Sequence, residues 1–177
     1  MTEPLQAMLT YLDGLAEMPS LTDLREGLAT FEIDCDDVAE FLRFSDRGYS
    51  RNLVRAGDHY HAWVLCWKNG QRSPIHDHLG SRCVIRVLRG TLTETRFEFA
   101  ANGHVKALFS RDCEQGSLVA SEDTDMHQVS NLQAGSADLV TLHVYTPPLL
   151  TMGLYSLYER GRGEEVWTLE FSDAGGI

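Results

Sequence analysis

No run of apolar residues in this sequence approaches the ~20 that a membrane-spanning helix requires, so a transmembrane protein is not expected. The stretch from Met1 to Ser20 is amphipathic and acid-flanked, with neither a basic leader nor a cleavage site, and a cytoplasmic location is expected. Basic residues are scarce: 15 Lys and Arg stand against 26 Asp and Glu, a formal net charge of -11, with no local cluster of the minority sign. Such a surface repels phosphate backbones and anionic lipid heads, which argues against nucleic acid or membrane as partners. Cysteine is also sparse. Cys35, Cys66, Cys83 and Cys113 in a chain of 177 residues do not make a disulfide framework, and reduced thiols are expected. Internal repeats, low-complexity segments and a dividing linker are missing too. A single domain spanning 1–177, able to bury a core without staples, follows as the expectation, and a monomer is expected.

Two periodicities are present. Between Pro4 and Phe44 apolar residues recur at helical spacing: Leu5, Met8, Leu9 and Leu12, then Leu21, Leu24 and Leu28, then Val38, Phe41 and Leu42. This predicts two or three short helices in residues 1–46, with Ser20 and Asp34 or Asp36 as N-caps and Pro19 as a break. From Tyr49 the period changes to 2. Strands are predicted over Tyr60–Trp67, Cys83–Arg89, Thr91–Phe99, Val105–Phe109, Ser117–Ala120, His127–Asn131, Asp138–Thr146 and Val166–Phe171, separated by turn residues such as Asn69-Gly70 and Asn102-Gly103. Short strands at this spacing point to an all-β barrel or jelly roll over 47–177 behind a helical cap.

The chemistry concentrates in Ile75-His76-Asp77-His78. In an extended chain, side chains at i and i+2 share a face, so His76 and His78 can offer nitrogens to one metal while Asp77 points away. An H-x-H pair alone is a common accident. Here it sits inside Gly70-x5-His76-x-His78-x4-Cys83-x6-Gly90, which resembles the first motif of the cupin superfamily with Cys83 in place of the usual Glu. His127-Gln128-Val129-Ser130-Asn131 resembles the H-x3-N end of the second cupin motif, without the Pro-x-Gly that commonly precedes it. In the cupin jelly-roll barrel these motifs imply, the third histidine faces the first two from another strand. Three neutral imidazoles leave coordination positions open, and nitrogen donors suit iron, zinc, copper or nickel alike. Without a glutamate on the metal there is room for an anionic ligand such as a thiolate.

Tyr49 and Arg51 share one side of an extended segment, as do Thr141, His143 and Tyr145. Together with Tyr49-Ser50-Arg51-Asn52-Leu53, Leu65-Cys66-Trp67, Ser81-Arg82-Cys83 and Leu142-His143-Val144-Tyr145-Thr146-Pro147-Pro148, the histidine motifs make the chain resemble the cysteine dioxygenase family from about Tyr49 to Pro148. The resemblance implies Fe(II) on His76, His78 and His127, and L-cysteine and O2 as reactants. It implies that Arg51 grips the substrate carboxylate with Tyr49 in support, and that Tyr145 aims its hydroxyl at substrate and oxygen, oriented by His143 and Thr141. Cys83 would lie beside Tyr145, a pair that in animal members can become a thioether crosslink; many bacterial relatives have Gly there. Thr141 replaces the family's usual Ser and keeps its hydroxyl. Met152 stands where animal members have cysteine, which bears on substrate fit.

Competing readings are a dioxygenase of another small thiol such as 3-mercaptopropionate, a metal-binding cupin without catalysis, and a zinc isomerase on the same barrel, the last disfavoured by the missing glutamate. Gln tends to replace Arg51 in mercaptopropionate-type relatives, so the Arg favours cysteine. His59, His61 and His104 read as loop or surface residues, Cys35, Cys66 and Cys113 as core fillers, and Trp67 as packing.

Overall fold

In the computed structural model, which describes residues 1–15 and 17–166, the helical spacing is realised as α1 (Glu3–Asp13) and α2 (Leu21–Ala29). α1 buries Leu5, Met8, Leu9 and Leu12, and α2 buries Leu24 and Leu28. Ser20 caps α2, its Oγ accepting from the Asp23 backbone N–H at 3.1 Å. No third α-helix follows Asp34. Its carboxylate accepts from the backbone N–H groups of Asp36 and Asp37, while Asp37 accepts from that of Asp34, so side chains satisfy the backbone locally and compete with a helix. Only a 3-10 turn over Ala39–Phe41 remains.

Among the described residues eleven strands follow: β1 (Ser50–Ala56), β2 (His61–Trp67), β3 (Ile75–His76), β4 (Arg82–Arg89), β5 (Thr91–Phe99), β6 (Val105–Glu114), β7 (Leu118–Ser121), β8 (His127–Ser130), β9 (Leu139–Thr146), β10 (Thr151–Tyr155) and β11 (Gly163–Val166). They form a five-stranded sheet, β1-β2-β9-β4-β7, and a six-stranded sheet, β11-β10-β3-β8-β5-β6. This is the expected all-β cupin jelly roll with an N-terminal helical cap.

The five-stranded sheet is covered on both faces. On β2, Ala62, Val64 and Cys66 pack with the helices, whereas Trp63, Leu65 and Trp67 join the barrel interior. The same division puts Val140, Leu142 and Val144 of β9 outward and Leu139 and Tyr145 inward. Burial on both faces explains why these strands read as nearly continuous apolar runs. β6 is the opposite case. Seven consecutive residues from Lys106 to Asp112 are exposed, and the strand lies at a sheet edge.

Several strand expectations shift. β6 runs to Glu114 because an exposed strand needs little apolar patterning. β1, β3 and β10 were absent from the sequence-predicted strands: Arg51-Asn52 breaks the apolar alternation of β1, β3 has two residues, and β10 contains Gly153. That glycine is required by close approach, since a Cβ there would lie 2.5 Å from Asp77 Oδ1. Gly90, at φ +82°, makes the β4 to β5 turn, where a Cβ would meet the Asp138 carbonyl oxygen at 2.8 Å. β11 starts before the predicted Val166–Phe171 strand, and residues 167–171 lie outside the described residues.

Candidate active site

β3 and β8 pair antiparallel with His76 opposite His127, and the extended chain past β3 brings His78 to the same side. All three rings are buried, and one nitrogen of each lies within 4.8 Å of the others. Ring centroids are 5.1 Å apart for His76 and His78, 4.6 Å for His76 and His127, and 5.0 Å for His78 and His127. Burial, then the charge His127 would carry, hold His76 down to about 3; the same causes hold His78 well below the usual imidazole range. Neutral rings are therefore the resting form of His76 and His78.

Contacts on the far side of two rings decide which nitrogen faces the centre. His76 Nδ1 donates to the Pro74 carbonyl at 3.0 Å, and His127 Nδ1 donates to Glu94 Oε1 at 3.1 Å. Each bond places the ring proton on Nδ1 and leaves Nε2 as a lone pair. His127 Nε2 lies 3.4 Å from His78 Nε2. A convergent set of lone pairs on buried, neutral rings suits a divalent cation, and a carboxylate behind a ligating imidazole is the usual outer support of such a centre.

Glu94 is fully buried and fully paired. Arg96 Nε meets Oε1 at 2.9 Å, and Arg111 meets Oε2 through Nη2 at 2.6 Å and Nε at 2.8 Å. Burial alone would raise its pKa, but His127, Arg96 and Arg111 outweigh that and hold it at about 2. Arg96 also pairs with Asp125 at 2.8 Å, tying down the loop before His127. Asp77 turns away from the histidines toward β10, accepting from Gly153 N at 2.9 Å and Tyr155 Oη at 2.5 Å.

The inner face of the five-stranded sheet supplies the other groups. Trp67 Nε1 donates to Thr141 Oγ1 at 3.0 Å, Thr141 Oγ1 lies 2.9 Å from His143 Nε2, and His143 Nδ1 lies 3.1 Å from Tyr145 Oη. Burial, then the charges His127 and His76 would carry and the Arg51 guanidinium, hold His143 well below the usual imidazole range. The Tyr145 ring sits 5.4 Å from that of His78, linking this chain of contacts to the histidines. Cys83 lies directly opposite Tyr145 across β4 and β9, and burial pushes both acids upward. Arg51 is buried, with its guanidinium over the Trp63 ring, and its charge reaches His76, His143 and Tyr145. Tyr49 stacks on Trp67 at 4.1 Å. All nine sequence-predicted site residues thus border one interior.

Three residues were missed or misread. Glu94 and Trp63 were not singled out. His61 is a correction: it is buried on β2, opposite Tyr145, not in a loop or on the surface. Parity was the available signal, because His61 and Trp63 share the face of Leu65 and Trp67, and Glu94 shares the face of buried Leu92. His59 is exposed and His104 lies in a loop, as expected.

A family model described as cysteine dioxygenase type I matches residues 17–158. Human cysteine dioxygenase type 1 is 32% identical over 128 residues, covering 70% of this chain and 64% of that protein. The Danio rerio enzyme of the same description is 27% identical over 153 residues, covering 82% of this chain and 76% of that one. The chain thus spans slightly less than two thirds of the human relative's length. Among solved structures, a conserved Klebsiella pneumoniae protein with a double-stranded β-helix domain aligns with a TM-score of 0.53 at 16% identity, over 73% of this chain and 87% of that one. TT1209 from Thermus thermophilus aligns at 0.54 and 18%, over 66% and 99%. At that identity the two support the fold alone.

Proposed function

The chain belongs to the cysteine dioxygenase type I family, and from that premise we propose that it is a non-haem iron thiol dioxygenase converting L-cysteine and O2 to cysteine sulfinic acid. The observation that carries this reading is a buried guanidinium, Arg51, sharing one interior with three convergent, buried imidazoles. His76, His78 and His127 would hold Fe(II), which when bound supplies open positions where a thiolate and dioxygen can be brought together.

The protein's own residues then orient and exclude. Arg51 receives the substrate carboxylate through paired, charge-assisted hydrogen bonds that a point charge cannot imitate. Fixing that end makes the sulfur's approach effectively intramolecular. Trp67 can only donate, so Thr141 accepts from it and donates its own O–H to His143 Nε2. His143 Nδ1–H then donates to the Tyr145 oxygen, and the phenol proton is left to point at the bound reactants. Burial keeps Tyr145 protonated for that role. The opposition of Cys83 and Tyr145 favours a thioether between sulfur and ring carbon, formed with loss of two hydrogens to O2 as oxidant.

The test is anaerobic iron loading, addition of L-cysteine and air, and identification of the product by mass together with oxygen uptake. Sulfinate with one O2 consumed per thiol is expected; iron-loaded protein that yields none would leave a metal-binding cupin without catalysis. Equal or better turnover of 3-mercaptopropionate would reassign the substrate.

A further inference from the structure

The guanidinium carbon of Arg51 lies 4.6 Å from the centroid of the Trp63 ring, and the two side chains are 7% and 2% exposed. Trp63 Nε1 is buried with no hydrogen-bond partner among the described residues, whereas Trp67, on the same face of β2, donates to Thr141. An aliphatic or phenyl side chain at position 63 would fill space without stranding an N–H, a cost that buried donors rarely carry without an offset. The offset on this face is a desolvated cation over the electron-rich surface that attracts it most strongly, an indole.

Register makes the contact directional. Arg51 is opposite Leu65 across β1 and β2, and Leu53 is opposite Trp63, so the Arg51 side chain runs diagonally along the sheet to reach the indole. Trp63 is in turn opposite His143 on β9, which draws the guanidinium toward the histidines. Stacking engages the flat face of a guanidinium, while its hydrogen bonds lie in its plane, so a ring beneath it sets the plane in which a carboxylate is received.

We propose that Trp63 is a positioning residue for Arg51, and through it a determinant of selectivity for thiols that carry a carboxylate. The identity of the ligand rests on the thiol dioxygenase reading above. The placement of the guanidinium does not.

Binding and spectroscopy separate the two. Iron-loaded wild type, Trp63→Leu and Trp63→Phe are titrated without oxygen by calorimetry with L-cysteine, 3-mercaptopropionate and cysteamine, which lacks the carboxylate. Trp63→Leu is expected to weaken both carboxylate thiols by about tenfold and cysteamine by less than about twofold, with Trp63→Phe restoring most of the loss. The Arg51 Nε–Hε resonance, assigned by its disappearance in Arg51→Gln, is expected to be shifted upfield by the ring in wild type and Trp63→Phe and to relax in Trp63→Leu. Unchanged carboxylate binding in Trp63→Leu, or equal weakening of all three thiols, would overturn the proposal, as would an unshifted wild-type resonance. Wild type that follows the expected binding pattern yet forms no sulfinate would remove the dioxygenase reading and leave the role of Trp63 standing.

Discussion

The two sheets of the barrel divide the candidate chemistry between them. The six-stranded sheet carries His76 and His127 with His78 just beyond β3, and behind them a charged lattice of Glu94, Arg96 and Arg111. The five-stranded sheet carries Arg51, Trp63, Thr141, His143, Tyr145 and Cys83, joined by neutral hydrogen bonds and ring contacts. A metal needs fixed lone pairs, which paired charges behind a ring provide. A substrate needs oriented donors, which a neutral chain can supply without competing for its charge. The sheets differ on their outer faces as well, one packed under helices and the other bare along β6.

Each half of that division can be broken separately. His127→Ala should abolish iron retention, because it removes one ligand and strips Glu94 of a partner; metal analysis after anaerobic loading would detect any site that survives. On the outer faces, Leu28→Ala in α2 should cost about 3 kcal/mol in denaturant unfolding, since Leu28 is only 4% exposed and packs on the five-stranded sheet. Glu94→Gln should lower iron affinity by roughly 10- to 100-fold in chelator competition. If instead its main effect fell on the KM for L-cysteine, the separation between sheets would be wrong. Arg51→Gln should do the reverse, reducing kcat/KM for L-cysteine by roughly 30-fold, about 2 kcal/mol, at unchanged iron content. Smallest of all, Leu108→Ala on β6, where the side chain is 57% exposed, should move stability by no more than about 0.5 kcal/mol. A larger loss would mean that this bare face is covered in solution.

How much of this was legible beforehand varied by element. Thr91–Phe99 was predicted with its observed ends, because Thr and Phe occupy alternate positions there, Thr91, Thr93, Thr95, Phe97 and Phe99, between Gly90 and Ala100. β10 was not, since its Met-Gly-Leu centre follows no strand pattern and its glycine is explained only by the Asp77 carboxylate on another strand. Among site residues, motif spacing singled out the three histidines. Glu94 escaped notice because a glutamate within Thr93-Glu94-Thr95 reads as a solvated side chain until Arg96, Arg111 and His127 are seen around it.

Local order, then, is what the amino-acid chain determined alone: the change from a 3.6 to a 2 period, the Ser20 cap, the turn at Gly90, and the common face of His76 and His78. These depend on residues within a few positions of one another, where backbone geometry leaves few choices. Only the tertiary structure decided that His76 pairs with His127, which imidazole nitrogens face inward, and that Arg51 lies on Trp63. Those outcomes depend on strand register and on charges brought together from distant segments, and the energy that selects them exists only once both sheets have closed around the same interior.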